Sequence, residues 1–84
     1  MTMDREQMLE QIQELCREVF EDDELEITES TTAADVENWD SLTHLSLIHE
    51  IETTFRVKFT MGEIQGVNDV GELVDVLAKR VNER

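Results

Sequence analysis

Trp39-Asp40-Ser41-Leu42-Thr43-His44-Leu45-Ser46-Leu47-Ile48-His49-Glu50-Ile51-Glu52-Thr53-Thr54-Phe55 holds the start and the full length of one amphipathic helix. Leu42, Leu45, Ile48, Ile51 and Phe55 recur at spacings of three and four, which predicts that they form its inner stripe. Asp40 stands where an N-cap belongs. Its short carboxylate can accept from the first backbone N–H groups and complements the positive end of the helix. Ser41 then falls on the first turn, exposed, with free N–H groups expected beside it. A phosphodiester on that hydroxyl would lie where anions are favoured. Leu42 is expected to lock the turn onto the core so that the serine faces outward.

On the N-terminal side, Met8, Ile12, Leu15, Cys16 and Val19 form a second helical stripe between Asp4 and Phe20, opened by a capping box of Asp4 and Gln7. Residues 21–40 break the pattern. This stretch is acidic and polar, and Leu25, Ile27, Ala33, Ala34 and Val36 are expected to pin it to the core, with a short helical turn near Ala33–Val36. On the C-terminal side, Thr60 and Glu63 predict a capped, very short helix with Phe59 and Ile64 pointing inward. Asn68 is expected to cap a last helix running to about Val81, with Val70, Leu73, Val74, Leu77 and Val81 on one face. Lys79, Arg80 and Arg84 suit the negative pole at its end. No segment alternates as a strand does. The expected fold is all-α: a small up-down bundle of three main helices plus one short helix III, in one domain spanning residues 1–84.

The chain carries 21 Asp+Glu against 7 Lys+Arg, a formal net charge of −14. Such a field repels nucleic acid and anionic membranes, steers the protein to basic surfaces of partner proteins and favours a monomer. No apolar run is long enough to span a bilayer, and the N-terminal residues do not read as a signal peptide. A single cysteine, Cys16, permits no internal disulfide. It is expected to be buried and inert, and a cytoplasmic setting follows.

Catalysis by this chain is not expected. Ser41 has His44 three residues on and His49 eight residues on, but nothing orients either as a base, and no nucleophile elbow, phosphate loop or dinucleotide fingerprint is present. Both histidines read as helix surface. The acidic run Glu21-Asp22-Asp23-Glu24 lacks the alternating ligands and central glycine of a calcium loop, so no metal site is expected.

Asp40-Ser41-Leu42 opening a helix, with the apolar register that follows, resembles the modification segment of acyl carrier proteins. Phe55, Phe59, Ile64 and Val67 extend the resemblance through the rest of the chain. The resemblance implies that Ser41 carries a 4′-phosphopantetheine arm, placed there from coenzyme A by a phosphopantetheinyl transferase with Mg²⁺, and that Asp40 supports the metal. It implies further that acyl groups ride on the arm as thioesters and that the helix after Ser41 docks on basic surfaces of acyl-loading and acyl-using enzymes. The inner residues Leu45, Ile48, Phe59 and Ile64 could shelter part of an acyl chain.

Two departures from fatty-acid carriers stand out. Thr43, Ser46, Thr53 and Thr54 occupy a helix face that is usually acidic, leaving Glu50 and Glu52, and Trp39 replaces a small residue before the Asp-Ser pair. These point to a specialised carrier whose partners read Trp39, Leu42, Leu47, His49 and Glu50. The alternatives are a peptidyl or aryl carrier of an amino-acid-activating system, with the same arm and different cargo, and a small acidic interaction module whose serine is never modified.

Overall fold

A computed structural model describes residues 4–82. Four α-helices follow in order: α1 (Arg5–Val19), α2 (Ser41–Phe55), α3 (Met61–Gly66) and α4 (Val70–Asn82), with a single 3-10 turn at Ala33–Asp35 between α1 and α2. No strand occurs among the described residues. The expected helical bundle with a short third helix is the observed one. Arg84 lies outside the described residues.

Each start is set by local chemistry. Asp4 and Gln7, Asp40 and Thr43, and Thr60 and Glu63 form reciprocal capping boxes at α1, α2 and α3. At α4 the cap is one residue later than the sequence suggests. Asp69, not Asn68, accepts the Glu72 N–H through Oδ1 at 2.8 Å, while Asn68 donates its own N–H to the Glu72 carboxylate. The N–H groups of Val70 and Gly71, which have no partner within α4, donate to the carbonyls of Thr31 and Glu29. The long connection is therefore fastened to the start of the last helix by its backbone. Its other end is held by Gln13 Oε1, which accepts the Ile27 N–H, and by Arg17 Nε, which donates to the Leu25 carbonyl.

The core takes Met8, Ile12, Leu15 and Cys16 from α1, and Val70, Leu73, Val74, Leu77 and Val81 from α4, as the spacings predict. In the connection Ile27 and Val36 are buried, whereas Ala33 and Ala34, expected to help pin it, are exposed.

The register of α2 differs from expectation. Leu47, Ile48, Ile51 and Phe55 are buried, and Leu47 is 0% exposed, while Leu42 and Leu45 are 75% and 51% exposed. Leu47 therefore belongs to the core rather than to a docking surface, and Leu42 does not lock the turn onto the core. The helix is rotated so that the inner stripe runs through His44, Leu47, Ile48, Ile51 and Phe55, still at spacings of three and four. A half-buried histidine takes the inner position that the apolar pattern assigned to Leu45.

The short α3 contributes no buried residue. It is held by Glu63, which pairs with Arg80 of α4, and by Phe59, Ile64 and Val67 packing against the core from outside. Among the described residues no helix is long and apolar enough to cross a membrane.

Candidate functional site

Asn38 adopts a left-handed conformation, φ 70°, which asparagine tolerates better than most residues, and turns the chain into the start of α2. Thr43 Oγ1 donates to the Asn38 carbonyl at 2.6 Å and accepts the Asp40 N–H at 2.9 Å. Asp40 Oδ1 accepts from the N–H groups of Leu42 at 3.0 Å and Thr43 at 2.9 Å. The Thr43 N–H above all, with the Thr43 hydroxyl and the Leu42 N–H, holds the Asp40 carboxyl below the usual carboxylate range. The effect on Ser41 is a fixed pedestal: the residue is exposed, and the turn beneath it is bonded from both sides.

One expectation is corrected here. The N–H groups of Leu42 and Thr43 are taken by Asp40, and that of His44 by the Asp40 carbonyl at 2.9 Å, so they are not free for a phosphate on Ser41.

Beside Ser41 lies an open cleft of about 420 Å³ between the start of α2, the end of α3 and the start of α4. Its lining includes Trp39, His44 and Ile64 and, as polar groups, Asp40, Asn68 and Asp69. His44 is more than helix surface. Its Nε2 lies 3.1 Å from the Ile64 carbonyl oxygen and its Nδ1 lies 3.1 Å from the indole Nε1 of Trp39. A carbonyl can only accept and an indole N–H can only donate, so this pairing fixes the neutral ring with its proton on Nε2. The Trp39 ring stacks on His44 at 6.1 Å and packs on Phe20 at 5.1 Å, tying the cleft wall to the end of α1.

Trp39, Asp40 and Ser41 are thus brought together, with His44 added. Leu42, His49 and Glu50 are exposed along α2. Glu52 is half-buried and accepts the Phe59 N–H at 2.8 Å, so that carboxylate is engaged within the chain. The sequence did not announce His44 as part of the cleft wall, the Ile64 carbonyl as its partner, or Asp69. The five-residue spacing of Trp39 and His44 across a helix start was the available signal for the first, whereas the other two depend on tertiary packing. Cys16 is buried, and burial pushes its thiol up to about 12. Among the described residues no three His, Cys, Asp or Glu side chains are placed to hold a metal ion.

An exposed serine on a rigid helix start, opening onto a cleft, is the arrangement of a carrier, a protein that holds a group out for others to act on. The chain belongs to the phosphopantetheine attachment site family, which it matches over residues 10–77. It is similar to a holo acyl carrier protein from Geobacter metallireducens, with 37% identity over 89% of this chain and 86% of that one, at a TM-score of 0.83. An acyl carrier protein from Thermotoga maritima shares the fold at a TM-score of 0.84 and 23% identity, over 96% of this chain and 94% of that one. No curated protein sequence gives a significant match. The protein is accordingly a carrier of covalently attached 4′-phosphopantetheine and not an enzyme. Membership of this family implies partners of two kinds, a phosphopantetheinyl transferase and biosynthetic enzymes.

Proposed function

We propose that Ser41 is the attachment point of the 4′-phosphopantetheine arm and that the chain, as a single carrier domain, delivers acyl thioesters within a specialised biosynthetic pathway. The observation that carries this reading is the exposed Ser41 hydroxyl on a doubly bonded first turn, at the edge of a cleft that can accept the arm. The arm supplies a terminal thiol for thioester formation. The chain's own residues position it. Asp40 holds the helix start through Oδ1, and Oδ2, which takes neither cap bond, is the oxygen suited to Mg²⁺ when a transferase is docked.

Docking is assigned to the exposed side of α2, where Leu42 and Leu45 present apolar surface next to His49 and Glu50. The charge of −14 steers the carrier toward basic partners. A single buried thiol suits a cytoplasmic setting.

Incubation with a phosphopantetheinyl transferase, coenzyme A and Mg²⁺, followed by intact mass, is the test. One added arm in the native chain and none in Ser41→Ala is the expected result. No gain, or a gain that persists in Ser41→Ala, overturns the assignment. An amino-acid-activating system would load the same arm with an aminoacyl group, and loading assays with acyl and aminoacyl donors separate the two cargos.

A further inference from the structure

The helix α3 is tied to α4 by the Glu63–Arg80 pair and to α2 by His44. It is six residues long and has no buried residue. The cleft beside Ser41 is walled by His44 of α2 and Ile64 of α3, so a chain that outgrew it on that side would have to part those two helices. The Ile64 carbonyl is among the last-turn acceptors that a helix cannot satisfy internally, and His44 of α2 supplies its donor. The Trp39 indole holds His44 in the one tautomer that can donate there. Phe20 backs the Trp39 ring. In the core, Leu47 and Ile51 of α2 and Leu73 of α4 are 0–1% exposed.

We propose that the Trp39–His44–Ile64 relay is a latch that closes the seam between α2 and α3, so that cargo stays in the surface cleft, and that this carrier serves short or polar acyl groups. The proposal rests on Ser41 bearing the arm. His44 is the positioning residue. It sets where α3 sits and thereby which cargo the carrier can hide. The cleft suits such cargo: its lining includes Asn68 and Asp69 as well as Trp39 and Ile64, so it offers polar partners beside apolar contact. A long saturated chain would find no dry enclosure in it and would remain in solvent. This reading replaces the expectation that Leu45, Ile48, Phe59 and Ile64 together shelter part of an acyl chain; of the four, Ile64 alone lines the cleft.

The test uses the holo protein, its arm verified by intact mass, loaded with acetyl or octanoyl groups and followed by amide and methyl NMR. In the native chain the octanoyl and acetyl forms are expected to differ only around Trp39, Gln65, Asn68 and Asp69, with the methyl signals of Leu47, Ile51 and Leu73 unmoved. In His44→Ala, octanoyl loading is expected to shift those methyl signals. His44→Gln keeps one acceptor and one donor and is expected to behave as the native chain does. Nitrogen NMR of the imidazole is expected to show the proton on Nε2. Octanoyl-dependent shifts of the core methyls in the native protein overturn the proposal, as does a His44→Ala protein that still keeps the chain outside. If His44→Ala does not fold, Trp39→Phe removes the donor to Nδ1 and takes its place, with the same expectation. Failure of the arm to attach appears in the mass before any loading and counts against the carrier assignment instead.

Discussion

The Gly71 N–H, in the first turn of α4, donates to the carbonyl of Glu29 at 2.7 Å, and this contact leaves no room for a side chain. A Cβ built on Gly71 would lie 2.8 Å from that carbonyl oxygen, which belongs to backbone and cannot swing away. The glycine is therefore more than a cost to helix propensity: it lets the long connection close onto α4.

Gly71→Ala and Gly62→Ala should consequently change stability in opposite directions. Alanine gains about 1 kcal/mol over glycine inside a helix. At Gly62 nothing lies within 4 Å of a new Cβ, so much of that gain is realised and α3 is firmed. At Gly71 the clash must push the Glu29 segment of the connection away and break its bond, for a net loss of about 1–2 kcal/mol. Urea melts of both variants check this. A Gly71→Ala protein as stable as Gly62→Ala would show that the connection is not fastened there.

Leu45 and Leu47 should separate docking from folding. Leu47→Ala removes a fully buried side chain and should cost about 2–5 kcal/mol, read as a lowered melting temperature. Leu45→Glu alters a half-exposed side chain and should leave the melting temperature within a few degrees while raising the KM of the transferase for the carrier severalfold. The reverse pattern would place Leu45 in the core and Leu47 at the interface.

Those two leucines also mark what the sequence could reveal. In α1 and α4 one apolar stripe is available and one is buried. In α2 two stripes compete, one through Leu42 and Leu45 and one through His44 and Leu47, and Ile48, Ile51 and Phe55 fit either. What decides is His44, a polar residue that periodicity places outside and that hydrogen bonding places inside. The Asp40 cap under Ser41 was legible because cap chemistry is local, whereas Thr43, read only as part of the outer face, closes the box, and its own N–H, expected to be free, is taken up by Asp40. The Ile64 partner of His44 is twenty residues away and lies on a different helix, so no local pattern announces it. The Asp69 cap was missed by a single residue, since Asn68 and Asp69 are both good caps and only the path of the connection chooses between them.

Thiol chemistry should count arms. With its thiol pushed up to about 12 by burial, Cys16 stays protonated at pH 8, and it is also shielded from reagent. Apo protein should therefore show no fast-reacting thiol under native conditions and one in denaturant. Holo protein should show one fast thiol, that of the arm. Rapid labelling of the native apo chain would mean that Cys16 is reached without unfolding.

Acid should expose the work of two carboxylates. Asp40 is held below the usual range chiefly by the Thr43 N–H, and Glu63 chiefly by the Thr60 N–H and then by Arg80. Both bind a proton less readily folded than unfolded. Their stabilisation is therefore fully present above the ordinary carboxylate range, about pH 4, and is lost as pH falls below it toward the depressed folded values. Acid also relieves the self-repulsion of a chain with net charge −14, but it does so almost equally in Asp40→Asn and Glu63→Gln, so the effect largely cancels in a difference. Asparagine remains a good cap and glutamine can still accept at its box, which limits other damage. Thermal melts from about pH 6 to about pH 3 should show the native chain ahead of each variant at the upper end and the gap closing toward the lower. A gap that stays constant with pH would mean that neither cap bond strengthens on ionisation, and the pedestal under Ser41 would then owe its rigidity to Thr43 and Asn38 instead.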